Sequence, residues 1–276
     1  MDFSRYARRR PRMPSRPRGM LAIGCVLAGL CLFASAANAD DADLHNPGYD
    51  RPGLGFTPEA LEPGAFTLEQ GLPDWTRARQ DGTASSLYTV DSLLRVGLGH
   101  QLELQVGDSF YNRLRVTGGT PGYASEGRGD STLALKYVLP SSNPKFSWGL
   151  LGSVEFTDGQ RDFRNSQKQY LLGLQLNLQV DEKNSLGAYL QDVRAGGSDS
   201  QIFAVSDNYQ FSSTWTAYVE AALEHDAGSR GGALAGTGVA WQITKRVQFD
   251  GGVRHRLGGE VNEWEAGVGV SIYFGK

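Results

Sequence analysis

The C-terminal stretch Trp264–Phe274, with the sequence WEAGVGVSIYF, alternates between apolar residues and small or polar residues over its whole length. A period of two places one side of a β-strand against an apolar environment and the other side against a polar or open one. Only Gly275 and Lys276 follow this stretch. A terminal amphipathic strand that ends in an aromatic residue is typical of an outer-membrane β-barrel, so the pattern predicts such a fold.

The same alternation recurs from Ala65 onward and predicts about twelve strands. The clearest case is Tyr170–Val180, where apolar residues occupy every second position and Leu, Gly, Gln and Asn lie between them. The predicted strands are residues 65–73, 86–98, 101–111, 130–139, 145–156, 168–180, 185–193, 201–211, 214–224, 233–243, 247–257 and 263–274.

The connections between these strands alternate in length. Links after even-numbered strands are short, as at residues 99–100 and 212–213, whereas most links after odd-numbered strands are long, as at 74–85, 112–128 and 157–167. Short turns at one end and long loops at the other are the layout of a bacterial outer-membrane barrel. The sequence therefore predicts an all-β fold, a transmembrane antiparallel up-and-down β-barrel over residues 65–276.

A soluble β-sandwich or lipocalin-like carrier would also alternate, because its strands bury one face in a core. Lysine placement favours the membrane barrel. Of the six lysines after the leader, only Lys136 lies well inside a predicted strand, although a solvated sheet face normally carries many. Aromatic residues such as Trp75, Tyr170 and Trp215 gather near strand ends, where the aromatic girdles of membrane barrels lie.

Residues 1–39 are predicted to be a cleaved signal peptide. Seven arginines precede an apolar run at 20–36, and Ala37-Asn38-Ala39 supplies the small residues of a cleavage site. An N-terminal membrane anchor and a lipoprotein attached at Cys25 are the alternatives. Both cysteines, Cys25 and Cys31, fall in this leader, so the predicted mature chain holds no disulfide and no thiolate metal site.

Charge and hydropathy restrict the partners. The leader carries seven of the 27 basic residues and one of the 30 acidic residues, which leaves 20 basic against 29 acidic residues in the mature chain. Such an acidic chain is not expected to bind nucleic acid, because a phosphate backbone needs a basic surface. The longest mature run without a charged residue spans 14 residues, at 231–244, which is too short for a membrane helix.

Residues 40–64 form a separate stretch with no periodicity. It contains four prolines and four glycines and is predicted to be an extended segment rather than a domain. Two interpretations stay open at this point: a disordered periplasmic tail, or a plug-like segment tucked into the mouth of the barrel.

Several short motifs in the mature chain are similar to a known family. These are Asp50-Arg51-Pro52-Gly53 followed by Phe56, the run PGAFTLE at 63–69, LRVGL at 94–98 with LEL at 102–104, and Gly129-Asp130 followed by LALKY at 133–137. Together they resemble the outer-membrane "transporter" family named for the MetA-pathway of phenol degradation. The resemblance implies an outer-membrane barrel that moves aromatic or other hydrophobic compounds. It implies no catalytic residues.

If the apolar stripes face lipid, a set of charged residues faces the lumen or its rims. Opposed charges there can brace the barrel or line a solute path, and the acidic majority favours cations or neutral solutes. The candidates for lining the lumen are Glu69, Arg95, Glu103, Lys136, Glu155, Glu220, Arg254 and Glu265, with Asp91, Asp250 and Arg256 on the same face.

One ion pair follows from strand parity. Leu98 and Leu102 both belong to the lipid-facing stripe, so the hairpin loop between them is expected to hold an odd number of residues, three or five. This places Arg95 opposite or diagonal to Glu103 on the luminal side. An Arg95–Glu103 ion pair is therefore predicted.

The histidines give little support for catalysis. His225-Asp226 lies in a predicted external loop, and His255 alternates with Val253 and Leu257 near a strand end. No pair of histidines has metal-ligand spacing. We predict no catalytic, cofactor or metal site.

The leading functional hypothesis is a passive outer-membrane channel or transporter for small, hydrophobic or aromatic solutes. Its expected partners are the lipid bilayer, those solutes and the outer-membrane assembly machinery. The first alternative is a structural or surface-binding barrel with a filled lumen, whose contact loops are 112–128 and 157–167. The second is an outer-membrane hydrolase that uses His225 or His255.

Overall fold

The computed structural model of the protein describes residues 44–80, 82–118 and 122–275. The signal peptide predicted for residues 1–39 lies outside these ranges and stays a prediction. The strands of the described part are β1 Phe66–Gln80, β2 Thr83–Gly99, β3 Leu102–Thr117, β4 Tyr123–Gly127, β5 Ser131–Leu139, β6 Phe146–Glu155, β7 Gln169–Gln179, β8 Asn184–Arg194, β9 Ser200–Gln210, β10 Trp215–Asp226, β11 Gly232–Thr244, β12 Val247–Gly259 and β13 Trp264–Phe274.

All strands except β4 form one closed antiparallel barrel. Neighbours in sequence pair with each other, β3 pairs with β5, and β1 pairs with β13 to close the barrel. The short β4 pairs only with residues 112–116 of β3. Across the closing seam Phe66 lies opposite Phe274, and their rings stack with centroids 4.5 Å apart. The predicted twelve-stranded up-and-down barrel is confirmed.

The two faces of the barrel reverse the usual arrangement of a soluble protein. On the outer face, Leu172 is 61% exposed and Leu223 is 60% exposed. On the inner face, Arg95 and Lys136 are 0% exposed. Apolar side chains outside and charged side chains inside are the expected result when the outer face contacts lipid hydrocarbon. None of the described residues forms a helix long and apolar enough to cross a membrane.

Aromatic side chains form belts at both ends of this outer face. At the short-turn end Trp215 stacks on Trp241 at 5.3 Å, next to Phe211 and Phe249. At the long-loop end, which we call the upper end, Trp75 lies beside Tyr88, with ring centroids 6.5 Å apart. Belts of this kind mark the two membrane interfaces of a transmembrane barrel.

Two predicted loops are wrong. Residues 74–85, expected as a long loop, continue β1 and β2 as a hairpin with only residues 81–82 between the strands. Residues 112–128, also expected as a loop, contain the end of β3 and all of β4. Both extensions begin at the aromatic belt of the long-loop end and continue beyond it, and their outward positions such as Arg77 and Arg113 face water. The apolar stripe used to recognise strands therefore stops, although the strand pairing continues.

The β2–β3 turn also differs from the expectation in length. It contains two residues, His100 and Gln101, both with positive φ. The register shifts between Gly97 and Gly99, so that Leu98 is an extra residue on β2. With a two-residue turn and no bulge, Arg95 and Glu103 would lie on opposite faces of the sheet. The extra residue places both of them on the same face.

Candidate functional site

The interior of the barrel contains a buried charged cluster on four strands. Arg95 of β2 lies between Glu69 of β1 and Glu103 of β3, with nitrogen–oxygen distances of 2.8 Å to each. Lys136 of β5 reaches Glu103 at 2.9 Å. Glu69, Arg95, Glu103 and Lys136 are at most 1% exposed. Charges so well removed from solvent persist only when they are paired, so these groups depend on one another.

This arrangement confirms the predicted Arg95–Glu103 ion pair. Arg95 lies directly opposite Gln105, and Gly97 lies opposite Glu103, so the two charges are diagonal neighbours. The Arg95 guanidinium donates from Nε to Glu103 Oε1 at 2.8 Å and from Nη2 to Oε2 at 3.1 Å. The geometry is bidentate, which is the strongest form of this pair.

Asp50 completes the cluster and comes from the segment before the barrel. We call residues 45–64 the luminal segment. The backbone N–H of Asp50 donates to both Glu69 oxygens at 3.1 Å, and its carboxylate lies 3.4 Å from Arg95. Gln105 donates to the same carboxylate at 3.0 Å. Further along, the N–H of Leu61 donates to Glu103 at 3.2 Å.

A second charged cluster holds the next residues of the luminal segment. Arg51 donates to Asp74 of β1 at 2.9 and 3.0 Å and lies 3.3 Å from Asp250 of β12. On the same side, Arg254 donates to Glu220 at 2.6 Å. Arg254 also lies 3.4 Å from Glu265 and donates to Pro52 O at 3.2 Å, and the N–H of Leu54 donates to Glu220 at 2.9 Å.

The luminal segment also covers an apolar patch on the opposite wall. Phe56 packs edge-on against Tyr189 of β8, with ring centroids 6.0 Å apart. Ala204 of β9 and Ala222 of β10 complete this buried cluster, and Leu54, Leu151 and Ile202 pack against it. Gly55 has a φ of +95°, and a side chain there would collide with Gln175 and Tyr189. Since its contacts reach β1, β3, β8, β10 and β12, the segment lies inside the barrel.

The predicted luminal residues therefore fall into two groups and one outlier. Glu69, Arg95, Glu103 and Lys136 are in the first cluster; Glu220, Arg254 and Glu265 are in the second. Glu155 lies apart from both and accepts a hydrogen bond from Asn165 at 2.8 Å. Their role in lining a solute path stays a prediction.

Asp50 and Arg51 belong to these clusters, but the sequence did not predict them as luminal partners. They contributed only to the family resemblance. The available signal was an acidic and a basic residue side by side in a stretch rich in proline and glycine. Such a stretch can carry its charges into the barrel without forming a strand of its own.

The loop at residues 156–168 folds back onto the barrel. Asp130 accepts from the N–H groups of Gly159 at 2.7 Å and Asn165 at 2.6 Å. Phe163 is only 2% exposed. Asp158 accepts from the N–H of Ser131 at 2.9 Å. The loop is thus attached at several points to the start of β5.

The attachment at Asp158 gives a testable pH dependence. The hydrogen bond from the Ser131 N–H and the nearby Arg128, 2.9 Å away, lower the pKa of Asp158 well below its usual range. A lowered folded-state pKa gives stability that is present above the unfolded pKa of about 3.9 and lost as the pH falls through the folded value. We expect the amides of residues 156–168 to keep their protection from hydrogen exchange down to about pH 4, after correction for intrinsic rates.

The matched variant for this measurement is Asp158→Asn, which removes the charge and keeps the shape. It should show weaker protection of the loop at neutral pH. Loss of protection in the unmodified protein between about pH 4 and 6 would contradict this account of Asp158.

His255 lies against Trp264 at a centroid distance of 4.1 Å, and the two are cross-strand partners. Within residues 44–80, 82–118 and 122–275, no group of three His, Cys, Asp or Glu side chains could hold a metal ion. The interior arrangement is one of paired charges and an apolar patch.

The fold resembles known outer-membrane barrels. An outer membrane channel from Pseudomonas putida F1 aligns with a TM-score of 0.62 at 13% identity, covering 81% of this chain and 99% of the channel. The KdgM porin aligns with a TM-score of 0.52 at 15% identity, over 76% of this chain and 99% of the porin. The transport unit of the autotransporter AIDA-I from Escherichia coli gives 0.53 at 13% identity, over 91% and 98%.

Sequence comparison identifies the family. No curated protein matches the chain significantly. A family model described as "Putative MetA-pathway of phenol degradation" matches residues 49–274, which include most of the luminal segment and all of the barrel strands. The resemblance found in the short motifs is confirmed. The chain is an outer-membrane β-barrel that belongs to the phenol-degradation MetA-pathway family.

Proposed function

We propose that the protein is a passive outer-membrane channel for small hydrophobic or aromatic solutes, and that the luminal segment narrows its path. One observation carries the proposal: the interior has two unlike sides. Charged clusters occupy the side formed by β1, β2, β3, β5, β12 and β13, and an apolar patch occupies the side formed by β6, β8 and β9. Between them β10 contributes Glu220 to the second charged cluster and Ala222 to the apolar patch. A solute with an apolar body and a polar group finds both surfaces in one lumen.

The comparisons support the proposed substrate class. The matching family is described by a pathway of phenol degradation, and one similar solved structure is an outer membrane channel. Phenolic compounds combine an aromatic ring with a hydroxyl, which suits the two-sided interior. The barrel is proposed to act without catalysis, because the solved structures it resembles are channels and porins.

The luminal candidates have a proposed role in this path. Glu69, Arg95, Glu103 and Lys136 brace one wall, since their charges are paired with one another. The excess of carboxylates over basic groups disfavours anions. Glu265 and Glu155, which keep partial exposure, are the candidates for direct contact with a passing solute.

Uptake by cells tests the proposal. Cells that produce the protein should take up phenol and toluene several-fold faster than cells without it, with a smaller difference for sugars of similar size. Ile202→Asn places a polar group on the apolar patch and should reduce aromatic uptake, while conductance to small ions stays the same.

The matched control is Gln201→Asn, the neighbouring residue on the outer face of β9. It should leave both uptake and conductance unchanged. If production of the folded barrel, with or without Ile202→Asn, has no effect on the uptake of any aromatic compound, the proposed solute class is wrong.

A second candidate function is a surface-binding barrel with a filled lumen. The observation in its favour is the occupation of the lumen by residues 45–64, with a fully buried cluster around Asp50. In this case the β3–β4 hairpin and the loop at 156–168 would contact a partner. Shortening both elements should then abolish partner binding and leave solute flux unchanged, whereas lost flux would favour the channel.

A further inference from the structure

A group of arginines lies on the outer face of the barrel, at the level of the upper aromatic belt and directly above it. Trp75 of β1 and Tyr88 of β2 mark that belt. From this level upward, outward positions that carry apolar residues lower in the barrel carry basic residues on β1 and β3. We call this group the arginine face, and it consists of Arg77 and Arg79 on β1 and Arg113 and Arg115 on β3.

The strand register places these arginines on one surface. Directly opposed residues of an antiparallel pair share a face. Arg77 lies opposite Ser86, and Ser86 lies opposite Arg115, so these three form one row across β1, β2 and β3. In the next row outward Arg79 lies opposite Ala84. The row below contains Trp75, Tyr88 and Arg113.

The opposite side of the same strands identifies this surface as the outer one. Leu87 and Leu114 lie between the arginine rows in sequence and point the other way. They are 8% and 1% exposed, so they pack toward the interior. Arg79 and Arg113 are more than half exposed. The arginine face therefore looks outward from the barrel, at the level of the belt and above it.

Small residues leave room between the basic side chains. Ser86 and Ala84 form the floor on β2, flanked by β1 and β3. Arg77 and Arg115 are two strand spacings apart, which is about 10 Å between their backbones. Two arginine side chains that converge over a small residue can both reach one group of phosphate size.

The carboxylates nearby neutralise only part of this charge. Glu263 lies 3.2 Å from Arg77 and 4.0 Å from Arg79, and Glu126 lies 3.4 Å from Arg113. Arg115 forms no ion pair with any residue in the described ranges. Among the described residues, four basic and two acidic groups leave an excess of positive charge on a chain whose predicted mature part is strongly acidic.

We propose that the arginine face binds the phosphorylated headgroup of a glycolipid in the outer leaflet of the membrane. The site takes phosphate because guanidinium groups match phosphate oxygens in a bidentate geometry. It takes a lipid because Arg113 is level with Trp75 and Tyr88, and Arg77 and Arg115 lie two residues, or about 7 Å, above them along the strands. A lipid whose chains pack below that belt presents its headgroup at the height of the arginines.

Lipid binding by the full mature protein in neutral detergent tests the proposal. Native mass spectrometry would measure its affinity for diphosphorylated lipid A. The double variant Arg79→Gln/Arg115→Gln removes the two least neutralised charges and keeps an uncharged polar side chain at each position. Because each arginine near a headgroup surface contributes roughly fivefold, we expect affinity to fall roughly thirty-fold. Lipid A without phosphates should bind the unmodified protein with a similar loss.

The matched control is Arg194→Gln. Arg194 is also an exposed arginine at the long-loop end, but Asp192 and Asp199 pair with it at 2.7 and 3.0 Å. This variant should bind lipid A as the unmodified protein does. Equal affinity of the double variant, equal binding of lipid A without phosphates, or full competition by equimolar inorganic phosphate would each overturn the proposal. Unchanged heat-modified gel migration would verify that the variants are folded.

Discussion

Replacing Arg95 with methionine is expected to destabilise the barrel by about 3–5 kcal/mol, the usual cost of leaving a buried charge uncompensated. The substitution removes the group that joins Glu69, Glu103 and Asp50, and leaves three carboxylates with Lys136 alone. The side chains of Arg95, Glu69 and Glu103 are all 0% exposed, so solvent cannot replace the lost partner. The measurement is the midpoint of denaturant unfolding of the protein refolded in detergent.

Two further variants distinguish this explanation from a loss of packing volume. Adding Glu103→Gln to Arg95→Met should recover part of the lost stability, because one uncompensated carboxylate disappears. Arg230→Met removes an arginine that is 89% exposed and 2.8 Å from Glu260, and it should change the midpoint little. If Arg95→Met unfolds at the same denaturant concentration as Arg230→Met, the cluster does not stabilise the barrel as described.

Removing the luminal segment is expected to raise single-channel conductance several-fold. A mature chain that begins at Ala65 keeps every barrel strand and loses the residues that cross the lumen between Tyr49 and Leu61. In the full-length mature protein those residues fill the space between the charged clusters on one wall and Tyr189 on the opposite wall. Planar-bilayer recordings of the two proteins under the same salt gradient make the comparison.

A peptide with the sequence of residues 45–64 provides the matching control. Added to the shortened barrel, it should restore low conductance, because its Asp50 and Arg51 find the same partners. An otherwise identical peptide with Asp50→Asn and Arg51→Gln should restore it poorly. If the shortened barrel is folded by its gel migration and conducts as the full protein does, the segment does not narrow the path.

The two predictions concern groups whose contacts differ in how far the sequence predicts them. The Arg95–Glu103 pair was predictable because strand parity and a short turn fix which residues meet across one hairpin. The partners of Arg51 were not predictable in the same way. Asp74 and Asp250 lie on strands β1 and β12, far apart in the chain, and only barrel closure brings them near one residue.

The apolar patch under Phe56 illustrates the same limit. Tyr189, Ala204 and Ala222 occupy inward positions of three strands, where sequence analysis expected a mainly polar lumen. Each is unremarkable in its own strand, since tyrosine and alanine occur on either face. Their common role is visible only when β8, β9 and β10 are side by side and Phe56 lies against them.

The β1–β2 and β3–β4 hairpins at the upper end show where the hydrophobic pattern stops predicting strands. Inside the membrane an apolar stripe reports the outward face, because hydrocarbon excludes polar groups there. At the belt and above it, water accepts Arg113 and Arg77 on that same face. Strand pairing continues through Gln80 and Thr117, but the pattern that predicted the strands reverses, so these residues were predicted as loops.

The sequence by itself determined the number of barrel strands, their lipid-facing sides, the end with short turns and the family. The strand count, the lipid-facing sides and the end with short turns follow from a period of two and from turn lengths, which are local. The family follows from the resemblance of short motifs. The tertiary structure alone decided that residues 45–64 lie inside the barrel, which charges hold them, and which arginines share one outer surface. These depend on closure of the sheet, which sets neighbours across strands and across the lumen rather than along the chain.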